Sequence, residues 1–454
     1  MSELSAVTRI SIFGLGRVGL VTAVCFARKG HEVVGIDTDL DALVKIQKAD
    51  PPFFEPRLKE YLVEAVAEGA FSVTDDASAN ARSELTFVAV GTPVCEDGSI
   101  DLTHIRNTAA AIGRSIRDTT HYQLTVVKST VTPGTARTVV RPLIERESGK
   151  TAGIGFGLCS NPEFLREGNA LHEAEFPDRI VIGSEDAVAA KKLESFYEEL
   201  HGEHMPPVVR TTHESAELLK YANNAFLATK ISFINTIANI AERTPNADIQ
   251  TIAHGIGLDK RIGPEFLKAG LGWGGPCLPK DVKALVEFSK TVNYSPELIK
   301  SVITTNEEQN GRTLQAAREM LGSLMGKRIG ILGLAFKPGT DDMREAVSVP
   351  LIQELIREGA SVAAYDPAAL HNARKIFRND ISYSRDSQEC IDGADCCIIV
   401  TDWDEFKAIA PKDFIERMRS PVVIDGRRIY DVDRYSKAGI RLSAIGLGPV
   451  ARSP

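Results

Sequence analysis

Short apolar runs separated by longer amphipathic stretches set the pattern of this chain. Arg9-Ile-Ser-Ile-Phe13, Glu32-Val-Val-Gly-Ile36, Leu85-Thr-Phe-Val-Ala-Val90 and Gln123-Leu-Thr-Val-Val-Lys128 are each of strand length and apolar almost throughout. Strands read this way when both faces of a parallel sheet are covered. Residues 20–29, between the first two runs, carry helical periodicity and stop at Gly30. Pro177-Asp-Arg-Ile-Val-Ile-Gly183 supplies a further strand, and the first domain is expected to end near residue 205. At Lys327 the pattern restarts with Arg328-Ile-Gly-Ile-Leu332 and a helix over residues 347–358. Ser361-Val-Ala-Ala-Tyr365, Cys396-Cys-Ile-Ile-Val400 and Val422-Val-Ile424 follow as strands. Alternating buried strands and helices in both halves predict an α/β protein with two Rossmann-like doubly wound domains.

The stretch between the halves differs. Residues 211–243 contain neither Gly nor Pro, which predicts a single central helix about 45 Å long at 1.5 Å per residue. Thr211 and Glu214 suit a capping box at its start. Leu218, Leu219, Phe226, Leu227, Ile231, Phe233, Ile234, Ile237 and Ile240 put apolar groups on more than one face. Such a helix needs cover on all sides, between domains or between subunits, and a homodimer or higher homo-oligomer is expected. The expected organisation is a first Rossmann domain over 1–205, a helical dimerisation domain over 206–310 and a second Rossmann-like domain over 311–454.

Gly14-Leu-Gly16-Arg-Val18-Gly19 follows the first strand and opens the helix, and Asp37 closes the second strand. In that context G-x-G-x-x-G is the dinucleotide fingerprint. The glycines let N–H groups at a helix N-terminus meet a pyrophosphate, and the acid accepts from the adenosine ribose hydroxyls. The carboxylate of Asp37 would repel a 2′-phosphate, which favours NAD over NADP. Thr92, Ser129 and Thr130 follow strands at the sheet end where ligands bind and suit the nicotinamide half, although turn chemistry alone also puts hydroxyls there.

A second dense stretch is Phe266-Leu267-Lys268-Ala269-Gly270-Leu-Gly-Trp-Gly274-Gly-Pro-Cys277-Leu-Pro-Lys280-Asp281. Its glycines let other groups approach the backbone, its prolines stiffen the chain beside the thiol, and an adjacent ammonium favours thiolate. Cys277 therefore reads as a nucleophile, against the alternative of a buried structural cysteine. Asn161-Pro-Glu163-Phe-Leu-Arg-Glu167-Gly168 is either a solvated helix start or a loop closing over substrate, with Glu163 as general base. Lys220 and Asn224 share one helix face; Lys220 either snorkels to solvent or needs a buried partner. Lys337, Arg344, Arg427 and Arg428 follow strands of the second half and suit phosphates, or form a structural ion-pair network.

Composition narrows the class. At 454 residues the chain exceeds one ordinary domain, and it is 43% hydrophobic and 25% charged, as soluble globular proteins are. A net charge of −8 argues against nucleic acid, which asks for a basic face. Seven cysteines without a C-x-x-C pair indicate neither a metal site nor a disulfide framework. No apolar run reaches membrane-spanning length, no signal peptide is evident, and a cytoplasmic location is expected.

These motifs resemble the UDP-glucose/GDP-mannose dehydrogenase family, in order and over essentially the whole chain. They are G-L-G-R-V-G at 14–19, V-G-T-P at 90–93, K-S-T at 128–130, N-P-E-F-L-R-E-G at 161–168 and K-Y-A-N-N at 220–224. The Cys277 segment, F-K-P-G-T-D-D-M-R-E at 336–345 and D-G-R-R at 425–428 complete the set. The resemblance implies an NAD-dependent four-electron oxidation of a nucleotide sugar's primary alcohol to a carboxylate, through a thiohemiacetal and a thioester on Cys277. UDP-glucose to UDP-glucuronate is the first expectation. GDP-mannose or a UDP-N-acetylhexosamine is the alternative within the chemistry; a two-electron hydroxyacid dehydrogenase and a non-catalytic NAD-sensing protein are the alternatives outside it. By position, Lys220 and Asp281 resemble the proton-handling, oxyanion-stabilising pair. Glu163 resembles the base for thioester hydrolysis, and Thr130 with Asn224 the groups holding water and substrate. Glu167, Lys280 and Arg344 resemble cofactor contacts. Glu163, Phe164, Leu165, Arg166, Glu167, Phe266, Leu267, Lys268, Ala269, Gly270 and Gly274 resemble the loops around the sugar nucleotide, with Lys337 and Arg428 closing on it. Arg261 resembles an arginine reaching the partner subunit's substrate. Common family patterns differ at Arg57 (Gly), Trp273 (Phe) and Pro276 (Ser).

Overall fold

The computed structural model describes residues 7–449, and the chain divides into two compact units between residues 223 and 224. The first unit is built on eight strands: β1 (Arg9–Phe13), β2 (Glu32–Ile36), β3 (Phe71–Thr74), β4 (Leu85–Val88), β5 (Gln123–Val127), β6 (Phe156–Ser160), β7 (Ile180–Gly183) and β8 (Val208–Thr211). Their order is β3-β2-β1-β4-β5-β6-β7-β8. Neighbours run parallel except β6 and β7, which meet antiparallel through Ser160 and Gly183. The order reverses between β1 and β4, where Phe13 lies beside both Ile36 and Val88. That switch point leaves a crevice at the carboxyl ends of the strands.

The second unit repeats the plan. β9 (Arg328–Leu332), β10 (Ser361–Tyr365), β11 (Ser382–Tyr383), β12 (Cys396–Ile399), β13 (Val422–Asp425) and β14 (Arg441–Ala444) form one sheet in the order β11-β10-β9-β12-β13-β14. All five pairings are parallel. Ile10, Ile12, Phe87 and Leu124 are fully buried in the first sheet, as are Ile329, Ile331, Ile398 and Ile399 in the second, as expected of strands covered on both faces. Around the first sheet, Phe26 packs on Phe87 and edge-on against Phe196, with ring centroids 5.2 and 5.1 Å apart.

The long helix spans His213–Ala241, shorter than residues 211–243. Its cap also falls one residue later than the expected box, because Thr211 is taken up in β8, paired with Gly183. Thr212 Oγ1 accepts from Ser215 N (3.2 Å) instead, and Glu214 pairs with Arg137. Arg57, where a relative's glycine is common, holds φ at 66°, in the left-handed region that favours glycine. No helix among the described residues is long and apolar enough to cross a membrane.

The glycine turn makes opposite demands at its two ends. A Cβ on Gly19 would lie 1.8 Å from the Gly14 carbonyl oxygen, whereas one on Gly16 would meet nothing within 4 Å. Gly19→Ala should therefore lower stability by about 1–3 kcal/mol or more, as overpacking does. Gly16→Ala should leave the melting temperature essentially unchanged. Thermal unfolding followed by circular dichroism checks both.

Candidate active site

The helix Arg17–Arg28 begins directly on the glycine turn, with Gly16 as its N-cap residue and so no side-chain cap from that position. Gly16 is exposed, so the helix N-terminus is open to an anion. Asp37 Oδ2 accepts from Leu15 N (2.6 Å) and Oδ1 from Asp39 N (3.0 Å), while the side chain stays half-buried. The second unit has Gly333-Leu334-Ala335 in the equivalent turn, and there the same device is closed. Asp366 is fully buried and accepts from the N–H groups of Leu334, Ala335, Ala368 and Ala369 and from Trp403 Nε1. Ala335 is buried where Gly16 is open. Of the two turns, the first keeps open space beside its second glycine.

Next to that turn, hydroxyls brace the loops. Thr92 Oγ1 donates to Thr130 O (2.8 Å) and Ser129 Oγ to Val90 O (2.7 Å). This ties the loop after β4 to the loop after β5. Residues 161–168 form a loop, not a helix start. Within it Glu163 Oε2 accepts from Leu165 N (2.5 Å) and Oε1 from Lys220 Nζ (3.1 Å). Lys220 is 4% exposed, so it does not snorkel; the Glu163 carboxylate compensates its buried charge. Its ammonium and the Arg179 guanidinium lie 5.2 and 3.8 Å from the Phe164 ring centre. Arg166 turns to Glu173, and Glu167 pairs with Arg17 (3.5 Å).

In the second unit Cys277 is exposed and caps the helix Leu278–Thr291, with Pro279 in its first turn. A thiol there feels the positive end of the helix dipole, which favours thiolate. Cys25, Cys159, Cys390, Cys396 and Cys397 are buried, and burial pushes the thiols of Cys159 and Cys390 up to about 12. Asp281, 1% exposed, accepts from Asn224 Nδ2 and Lys280 Nζ, both at 2.6 Å.

The glycine-dense segment lies against the F-K-P-G-T-D-D-M-R-E segment and D-G-R-R. A Cβ on Gly274 would stand 2.1 Å from Glu345 O, one on Gly275 2.7 Å from the Phe336 ring, and one on Gly270 3.0 Å from Arg427 Nη1. Phe266 adopts φ 63°; Leu267 and Ala269 are buried and Lys268 is exposed, 3.8 Å from Asp402. Lys337 is half-buried, its ammonium 5.6 Å from the Phe336 ring centre. Arg344 pairs with Asp342. The Arg428 guanidinium binds Asp248 (2.7 Å), Gln250 (3.2 Å) and Ile445 O (3.2 Å). Arg261 stands apart on the surface, forked onto Asp259.

Models of three parts of one family match in succession: the UDP-glucose/GDP-mannose dehydrogenase NAD binding domain at residues 8–201, its central domain at 214–308 and its UDP binding domain at 330–432. UDP-glucose 6-dehydrogenase TuaD of Bacillus subtilis is 41% identical over 96% of this chain and 93% of its own. UDP-glucose 6-dehydrogenase AglM of Haloferax volcanii is 43% identical over 92% and 96%. The chain belongs to the UDP-glucose/GDP-mannose dehydrogenase family. A UDP-glucose dehydrogenase structure from Pyrobaculum islandicum superposes with a TM-score of 0.89 at 38% identity, covering 99% of this chain and 98% of that one. As a member of this dehydrogenase family it is an NAD-dependent nucleotide-sugar dehydrogenase.

The motifs assign no role to several of the dehydrogenase's polar groups. Lys128 donates to Asn161 Oδ1 (3.2 Å), and burial pushes its ammonium down to about 8. Glu217 sits three residues before Lys220 and is also buried. Asn235, Asn306 and Gln309 hold the glycine-dense segment through Gly270 and Trp273. For Glu217 and Asn235 the available signal is an acid or amide within an apolar helix stretch.

The thiols give a direct check on this geometry. Native protein treated with a thiol reagent should react rapidly at two of its seven cysteines, Cys95 and Cys277. Denatured protein should react at all seven. Peptide mapping that found Cys277 protected would contradict its placement.

Proposed function

We propose that this enzyme oxidises UDP-glucose to UDP-glucuronate in two steps through a thioester on Cys277. The carrying observation is the exposed thiol at a helix N-terminus, in a chain that buries five others. Relatives 41% and 43% identical bear the name UDP-glucose 6-dehydrogenase, which favours that sugar. NAD, when bound, accepts a hydride in each oxidation. The balance is one primary alcohol, two NAD⁺ and one water giving one carboxylate, two NADH and three protons.

In this reading Lys220 and Asp281 handle the alcohol proton and stabilise the oxyanions. The Cys277 thiolate adds to the aldehyde carbon, so the intermediate is retained and the second oxidation becomes effectively intramolecular. Glu163 takes a proton from the water that breaks the thioester C–S bond and frees the thiolate. Thr130 and Asn224 hold water and substrate, and Thr92, Ser129, Glu167, Lys280 and Arg344 contact the cofactor. Phe164, Leu165, Arg166, Phe266, Leu267, Lys268, Ala269, Gly270, Gly274 and Lys337 enclose the sugar nucleotide. Arg428 would exchange Asp248 for a phosphate. Residues 1–205 bind NAD, 206–310 dimerise and 311–454 bind the UDP-sugar, in a cytoplasmic enzyme.

A homodimer is supported by the central helix. Phe226, Phe233 and Ile240, seven residues apart, are 64%, 51% and 57% exposed. A seven-residue spacing keeps them on one face, and a second copy would cover it. Arg261 would then be free to reach the partner's substrate.

Two NADH per UDP-glucose, and none from GDP-mannose or UDP-N-acetylhexosamines, is the expected stoichiometry. Two from another sugar would overturn the substrate, and one with free aldehyde would overturn the thioester. Cys277→Ala should cut two-NADH turnover on the order of 10³-fold or more. Phe233→Glu should shift the sedimentation coefficient towards that of a monomer.

A further inference from the structure

We propose that Glu217 is a positioning residue: its carboxylate fastens together the three segments of the first unit that carry Thr130, Glu163 and Lys220. Glu217 Oε2 accepts from Gly134 N (2.5 Å) and Oε1 from Ala136 N (2.9 Å), in the segment four to six residues beyond Thr130. Oε1 also accepts from Ser160 Oγ (3.2 Å), at the end of β6 and three residues before Glu163. Glu217 itself lies on the helix His213–Ala241, one turn before Lys220. It is 3% exposed. The roles given to those three residues rest on the proposed function above.

The charge on Glu217 matters because a carboxylate only accepts, whereas a carboxylic acid carries an O–H that would face a donor. Ser160 Oγ also lies 2.9 Å from His213 Nδ1. If Ser160 donates to Glu217, His213 must donate to Ser160 and therefore carries its proton on Nδ1. Burial depresses the basicity of His213, in keeping with a neutral ring. Arg137 and Arg141 face the cluster from the segment beyond β5, Glu185 from beyond β7, and Glu214 and His213 from the helix itself. Burial, against the opposing pull of its three donors, pushes Glu217 up to about 7.

The sign follows. A carboxyl raised above its unfolded value binds more protons in the folded state, so its contribution to stability falls as pH rises from about 4.5 to about 7. The ionised form that fastens the loops is thus the costlier one for the fold. Turnover should rise with pH over the range where stability declines.

The test compares wild type, Glu217→Gln and Glu217→Asp on whichever nucleotide sugar the wild type oxidises, so the sugar assignment can fail without deciding this question. A glutamine keeps the shape but turns an N–H₂ towards one donor. Glu217→Gln should keep two NADH per sugar and a KM for NAD within about threefold. Its kcat should fall by about 10–100-fold, the scale of an ångström-level misplacement. The acid limb of its kcat profile near pH 7 should vanish, and its stability should lose the slope between pH 4.5 and 7. Glu217→Asp, with the charge restored at shorter reach, should regain part of kcat and the acid limb. Wild-type kcat with an unchanged pH profile in Glu217→Gln would overturn the proposal. So would a kcat loss matched by an equal loss of active sites titrated by the NADH burst, and so would a Glu217→Asp variant no better than Glu217→Gln.

Discussion

Backbone N–H groups in loops at the carboxyl ends of parallel strands have no neighbouring strand to bond, and buried or half-buried carboxylates take them up in this protein. Asp37 does so for Leu15, Asp366 for Leu334 and Ala335, Asp425 for Arg427 and Tyr430, Glu55 for Gly168 and Ala170, and Glu217 for Gly134 and Ala136. An unmet N–H in the interior is costly, and a buried carboxylate is costly without donors. Each therefore justifies the other. The pairings fix loops whose own sequences, rich in Gly, Pro and Thr, have little regular structure to hold them.

The same device, carried to different lengths, separates the two Rossmann-like units. Asp37 is half-buried beside an open Gly16, so the turn retains space. Asp366 is saturated by four backbone N–H groups and an indole, and Ala335 fills the place of the second glycine. The six-strand order common to both sheets thus carries an open turn in one unit and a filled one in the other. The second unit instead presents its strand-end loops to the glycine-dense segment that leads to Cys277.

That segment is held by neutral amides. Asn235 Oδ1 accepts from Gly270 N and Gln309 Nε2 donates to Gly270 O, while Asn306 bonds both N and O of Trp273. The indole N–H of Trp273 reaches Ser232 Oγ. Side-chain amides stand in here for a neighbouring strand, which lets an irregular loop stay buried with its backbone satisfied. That hydroxyl lets the Trp273 ring be buried with its N–H satisfied.

What the sequence determined alone is what acts over a few residues. Apolar runs marked β1, β2, β4, β5, β7, β9, β10, β12 and β13, G-x-G-x-x-G with Asp37 marked the first glycine turn, and Gly-Gly-Pro-Cys277 with Lys280-Asp281 singled out one thiol of seven. Periodicity and φ restrictions are local, so they are legible in one dimension. Strands β3, β6, β8, β11 and β14 were not, since polar residues and glycine interrupt their apolar pattern, and β8 in turn displaced the helix cap from Thr211 to Thr212. Tertiary structure alone decided which charges are buried and what meets them. Lys220 finds Glu163 and Asp281 finds Asn224 across 57 residues each, and Glu217 finds Gly134 across 83. Desolvation and its compensation depend on what the fold brings alongside, and no spacing along the chain encodes that.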